Sequence, residues 1–124
     1  MSRSNILAVD AMGGDAAPEM VIAGLEIASM RHPLAKFLIF GDSARIAPLV
    51  AKTKRVKNQS TIRHAADSIS GDLKPTAALR LRDSSMRRAI ESVLAHEAAG
   101  VISAGNTGAL LALSKIVLKT MPGI

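Results

Sequence analysis

The sequence predicts an α/β fold, a mostly parallel sheet with helices on both faces. Three observations carry this. Short apolar runs of strand length alternate with longer segments of helical period. Those runs are nearly continuous in their apolar residues, as strands covered on both faces must be. Polar, glycine-bearing turns such as "AMGGDAAP", Gly41-Asp42-Ser43 and "SAGNTG" join strands to the helices that follow.

Taken in order, Asn5 to Asp10 reads as a buried strand ending in an acidic residue. A helix follows from about Pro18 to Met30, with Val21, Leu25 and Ala28 on one face. Pro18 suits its first position, where a missing N–H costs nothing. "KFLIF", Lys36 to Phe40, is a second strand, and Asp42 or Ser43 caps a short helix through Val50. Thr61 to His64 is a weaker third strand. Residues 65–82 have no clean period and contain Gly71 and Pro75, so a long loop with a helical turn is expected there. Asp83 or Ser84 caps the next helix, where Met86, Ile90, Val93, Leu94 and Glu97 fall at helical spacing. Gly100 is expected to end it. Val101 to Ser103 is the fourth strand, and the last helix runs from about Asn106 to Lys119.

A chain of 124 residues supports one domain with a real core. Only 2% of residues are aromatic, so that core has to be built from Leu, Ile, Val, Ala and Met. There is no cysteine, which excludes a disulfide framework and a thiolate metal site. His32, His64 and His96 lie far apart without ligand spacing, so no metal is expected. The N-terminal apolar run meets Asp10 before reaching signal-peptide length, and Ser114 and Lys115 interrupt the last helix. A cytoplasmic protein is expected. Sixteen basic against ten acidic residues give a formal charge of +6, clustered at Lys52, Lys54, Arg55 and Lys57 and at Arg80, Arg82, Arg87 and Arg88. Such a balance suits an acidic partner. Nucleic acid is not expected, because aromatic stacking platforms are nearly absent.

Ligands of open parallel sheets gather beyond the carboxyl ends of the strands. Two turns sit at such ends, "DAMGGD" after the first strand and "SAGNTG" after the fourth. Their glycines let backbone N–H groups face a ligand unobstructed. The second turn also opens a helix, whose free N–H groups and dipole favour an anion. Ser103, Asn106 and Thr107 add neutral donors. Neither turn is a Walker A loop or a GxGxxG fingerprint, so the pattern leaves an anion site and a merely capped turn both open. Asp10 and Asp15 can bind a cation, act as bases or cap, with Asp10 the functional candidate because it ends a strand. Lys74 can neutralise a phosphate from the long loop, and His64 is assigned no role.

The motifs "AVDAMGGDAAPE", "KPTAALRLRDSSMRRAIE" and "VISAGNTGALLA", in that order, resemble the phosphate acyltransferases of bacterial phospholipid synthesis, the PlsX family. The resemblance spans residues 1–124 and corresponds to the N-terminal part of a single α/β domain, about a third of a complete enzyme. It implies the doubly wound fold of the isocitrate and isopropylmalate dehydrogenases and of phosphotransacetylase. It also implies transfer of a fatty acyl group from acyl carrier protein to inorganic phosphate, without a cofactor, in a homodimer. The acidic carrier protein suits the basic chain, and a membrane-bound glycerol-phosphate acyltransferase that uses the product implies peripheral membrane association.

On that resemblance Asp10 and Asn106 are the catalytic candidates. Ser103, Gly105, Asn106, Thr107 and Gly108 are assigned to the phosphate, with Gly13, Gly14 and Asp15 shaping the neighbouring wall. Lys74, Ser84, Ser85 and Arg87 complete the anion site or its support. This sequence has one residue fewer than the family pattern between Arg80 and Ser84. Its end at Ile124 leads to the expectation that the chain alone is inactive and self-associates. The alternatives are a dehydrogenase-like nicotinamide-binding enzyme and a non-catalytic product that binds acyl carrier protein or pairs with itself.

Overall fold

The computed structural model describes residues 5–13, 17–69, 73–103, 109 and 113. Four parallel strands form one sheet: β1 (Ile6–Asp10), β2 (Lys36–Gly41), β3 (Ser60–His64) and β4 (Gly100–Ser103). Their order is β3-β2-β1-β4. The chain therefore winds outward from β1 to β3 and then crosses back to place β4 on the other side of β1. That reversal opens a crevice beyond the carboxyl ends of β1 and β4. The pairing register sets Asp10 directly opposite Ser103 there.

Alternation along the central strands sorts the core into two layers. Val9, Phe37 and Ile39 point to one face, where they meet Ile22 and Leu25 of α1 (Glu19–Arg31) and Ile46 and Val50 of α2 (Ser43–Ala51). Val56, the first residue of the short α3 (Val56–Gln59), closes that layer. Ala8, Leu38 and Phe40 point to the opposite face and meet Ala89 of α5 (Ser85–Leu94) together with Ala98. Burying each large aliphatic side chain contributes about 1.5–3 kcal/mol. The three alanines let α5 lie close on the sheet. A third cluster joins α5, through Met86 and Ile90, to Ala78 of α4 (Pro75–Ala78) and to Ala109 and Leu113. Those two are the only described residues of the predicted last helix; both are helical and fully buried, and the rest lies outside the described residues.

Two boundaries differ from expectation, those at Pro18 and Gly100, while the expected cap at Asp42 is present. Pro18 stands at the N-cap of α1, one position earlier than predicted, after a cis Ala17–Pro18 peptide. Asp42 caps α2 by accepting from Ala44 N–H at 3.0 Å. Gly100 does not end α5. The helix stops at Leu94, His96 takes the left-handed conformation at φ 63°, and Gly100 opens β4 opposite Leu7. The chain leaves the helix early because Ala98 is fully buried in the core and Ala99 N–H bonds to Ile6 O at 2.8 Å.

Glu26 of α1 ties that helix to the start of α3. Its carboxylate accepts from Lys54 N–H at 3.0 Å and from Arg55 and Val56 N–H at 3.1 Å, so it satisfies donors at the start of α3. Partial desolvation works to raise its pKa, but the three backbone donors and the Arg55 charge outweigh it and hold the group below the ordinary glutamate value. A lowered folded-state pKa contributes stability above the unfolded value and loses it as pH falls through the folded one. Wild-type protein is therefore expected to lose stability on acidification through and below the glutamate range, and Glu26→Gln to show a shallower slope there. Urea midpoints between pH 3 and 7, a range of about four units, check this.

Candidate functional site

Asp10 ends β1 with its side chain buried, at 2% exposure, in the crevice between β1 and β4. A buried carboxylate needs partners, and three donors converge on it. Ser85 Oγ donates to Oδ1 at 2.5 Å, and Ser103 Oγ donates to Oδ2 at 2.9 Å. The Met12 N–H donates to Oδ1 at 3.1 Å, closing the first turn after the strand. These bonds link the end of β1, the end of β4 and the start of α5, three elements that the chain order keeps as much as 93 residues apart.

The start of α5 is held independently. Ser84 is its N-cap and accepts from Arg87 N–H at 3.1 Å. Ser85 N–H donates to Asp67 O, and Asp67 N–H to Asp83 O, both at 3.0 Å, so the loop before α4 is pinned to the helix entry. Asp83 adds a further strap: it pairs with Arg88 at 2.7 Å and accepts from Ala66 N–H at 3.0 Å. The Arg88 bond, then the Ala66 bond, hold its carboxyl below the ordinary aspartate value. With its own N–H already bonded to Asp67, Ser85 presents only its hydroxyl, and that points to Asp10.

The other sequence candidates are distributed as follows. Gly13 is buried just after Met12. Arg87 reaches away from Asp10, donating to Leu79 O at 3.2 Å and pairing with Glu91 at 3.7 Å. Lys74 is exposed at the N-cap of α4, with no ion pair among the described residues. Gly14, Asp15, Gly105, Asn106, Thr107 and Gly108 lie outside the described residues. The expectation that Ser103 serves as a free donor needs refining, because its proton is directed at Asp10. His64 accepts from Ser43 N–H through Nδ1 at 3.2 Å, which ties the end of β3 to the start of α2. The Met12 and Asp67 backbone groups were not foreseen; no side-chain pattern marks a main-chain donor or acceptor.

Among the described residues no group of three His, Asp or Glu is placed to hold a metal ion. None of the described helices is long and apolar enough to cross a membrane.

A carboxylate with two serines at a switch point is compatible with several chemistries, and the relatives narrow them. The pattern of the fatty acid synthesis protein family matches residues 6–124. The chain belongs to this family. It is 66% identical over 119 residues to a phosphate acyltransferase of Acidiphilium cryptum, covering 96% of this chain and 31% of that protein. It is 59% identical to the phosphate acyltransferase of Granulibacter bethesdensis, over 98% of this chain and 33% of the relative. The corresponding figures for Rhodospirillum rubrum are 54%, 100% and 36%. This fatty acid synthesis protein chain thus spans about a third of the length of the relatives it matches.

Proposed function

We propose that this chain carries the phosphate-handling part of an acyltransferase that moves a fatty acyl group from acyl carrier protein to inorganic phosphate. The observation that carries this reading is Asp10, buried at the switch point and bonded to Ser103 and Ser85, in a family whose relatives are named phosphate acyltransferase. Ser103 and the segment Gly105, Asn106, Thr107 and Gly108 hold the phosphate, and Gly13, Gly14 and Asp15 form the adjoining wall. Ser84 and Arg87 support the start of α5, and Lys74 is left exposed to meet an incoming anion or the acidic carrier.

The chemistry asks little of a protein nucleophile. Hydrogen phosphate attacks the thioester carbonyl, a C–O bond forms, the C–S bond breaks, and the phosphate proton ends on the departing sulfur. Atoms and charge balance with no further reactant. The protein has to align the two substrates and stabilise the oxyanion of the tetrahedral intermediate, a task suited to Asn106. Ser85 is 1% exposed and bonded to Asp10, which suits support rather than attack. A homodimer that collects acyl carrier protein from solution and works at the membrane surface completes the proposal.

The test is hydroxylamine trapping of acyl phosphate from acyl carrier thioester and phosphate. It is run on the chain, and on the chain completed with the remaining part of the Acidiphilium cryptum relative. Phosphate-dependent hydroxamate from the completed protein is expected. A folded completed protein that yields none, or that reduces a nicotinamide cofactor instead, overturns the reading.

A further inference from the structure

We infer that the groove between α1 and α2, with the cationic segment 52–57 at one end, docks an acidic amphipathic helix of a partner protein. This rests on the acyl-transfer reading, which supplies such a partner in the acidic acyl carrier, and names the surface that receives it.

From Ser43 to Ala66 the chain carries six Lys or Arg and no acidic residue. Four of those cations, Lys52, Lys54, Arg55 and Lys57, crowd the junction where α2 gives way to α3, and all four are exposed. Lys52, Lys54 and Lys57 form no ion pair among the described residues. The carboxylate beside them, Glu26, is occupied by the Lys54, Arg55 and Val56 N–H groups. One carboxylate bound to main-chain donors leaves four side-chain cations largely uncompensated. Their backbone is also fixed. Thr53 donates from Oγ1 to Val50 O at 2.6 Å and accepts from Lys57 N–H at 3.1 Å. A partner meets these charges on a preformed platform, so binding costs little ordering of the backbone.

Lys52 and Lys54 also line a groove of about 380 Å³, whose apolar walls are Ile22, Ala23 and Leu49. Met20, Ala23 and Ile27 are spaced i, i+3 and i+7 on one exposed face of α1 and extend that apolar surface. A concave apolar floor with cations at its end complements a helix that has an apolar face and acidic flanks. A flat anionic bilayer would touch Met20 and Ile27 but not Ile22, which is buried at the bottom of the groove. Nucleic acid finds no aromatic face there on which a base could stack. The groove also runs the right way. α1 starts beyond the carboxyl end of β1, where Asp10 lies, and α3 leads into the first residue of β3 at the opposite edge. A helix lying from Lys54 to Glu19 therefore directs one end toward the edge that holds the crevice.

The test uses the completed protein, with KM for acyl carrier thioester, KM for phosphate and kcat measured separately by hydroxamate trapping. Lys52→Glu with Lys54→Glu is expected to raise the carrier KM at least about tenfold at low salt. KM for phosphate and kcat are expected to hold, and the effect to shrink as salt screens it. Lys52→Gln with Lys54→Gln is expected to raise the carrier KM less, and stands in should the Glu pair not fold. Ala23→Arg adds a cation but fills the groove from an exposed helical position that tolerates it. It is expected to raise the carrier KM too, as long-range attraction alone would not. A carrier KM unmoved by the lysine changes, or lowered by Ala23→Arg, overturns the docking surface while leaving acyl transfer intact. So does loss of binding to vesicles of equal parts phosphatidylglycerol and phosphatidylcholine in the lysine variants with the carrier KM unchanged. If wild type forms no hydroxamate, the acyl-transfer reading falls, and direct titration with the carrier still decides the docking surface: binding that the lysine changes weaken upholds it, and no binding overturns it.

Discussion

Asp10→Ala is expected to lower the unfolding free energy by about 3–5 kcal/mol, the combined cost of leaving several donors without their acceptor, and to abolish acyl phosphate formation. The change removes the acceptor of the Ser85 hydroxyl, the Ser103 hydroxyl and the Met12 N–H together. Each buried donor left without a partner costs about 1–3 kcal/mol. The two hydroxyls can rotate toward other acceptors, but the Met12 N–H is fixed by its backbone, so part of the cost cannot be relaxed away. Against a total stability of about 5–15 kcal/mol this is a large fraction. Urea unfolding of wild type, Asp10→Ala and Asp10→Asn measures it. The Asn variant keeps one acceptor and the shape of the side chain, and is expected to lose about 1–2 kcal/mol. Activity should respond more steeply than stability: the carboxylate fixes the ends of β1 and β4 and the start of α5 relative to one another, and a misplacement of about 1 Å can cost a hundredfold in rate. An Asp10→Ala protein of wild-type stability would show that these bonds are incidental.

That dependence on one side chain explains what the sequence could reveal. The strands were legible because coverage on both faces forces continuous apolar runs such as "KFLIF", whose Phe37 to Phe40 are all buried. Asp10 and Ser103 were legible as polar residues closing such runs. The order β3-β2-β1-β4 was not, since it depends on where the crossover from β3 to β4 lands, a tertiary choice that leaves no local pattern. For the same reason nothing marked Ser85 as the partner of a carboxylate 75 residues away. "DSSM" reads equally well as a capped helix start, and Ser84 does that work while its neighbour turns inward. Local rules also misplaced the end of α5. Gly100 has the form of a helix stop, but the burial of Ala98 and the Ala99–Ile6 bond outweighed it.

The second large effect is expected at a residue outside the candidate site. Phe40 is 2% exposed, and it lies beside Asp10 in the β1–β2 register. Its ring fills the layer between the sheet and α5, against Ala89 and Ala98 with Val93 at the margin. The Arg63 guanidinium stands over the ring, 6.0 Å from its centre. Phe40→Ala leaves a void that three alanines are too small to fill, at a cost of about 3–5 kcal/mol. Phe40→Leu keeps most of the volume and is expected to cost less than about 1.5 kcal/mol. The functional consequence follows from what α5 carries. A helix that settles into the void or rides loosely over it moves Ser85, and the 2.5 Å bond to Asp10 has little tolerance for that. Phosphate affinity should therefore fall in Phe40→Ala even under conditions where the protein is fully folded, and fall much less in Phe40→Leu. Calorimetric titration below the onset of unfolding separates the two contributions. If affinity holds while stability drops, the seating of α5 on the sheet does not govern the site, and Asp10 orders it through β1 and β4 alone.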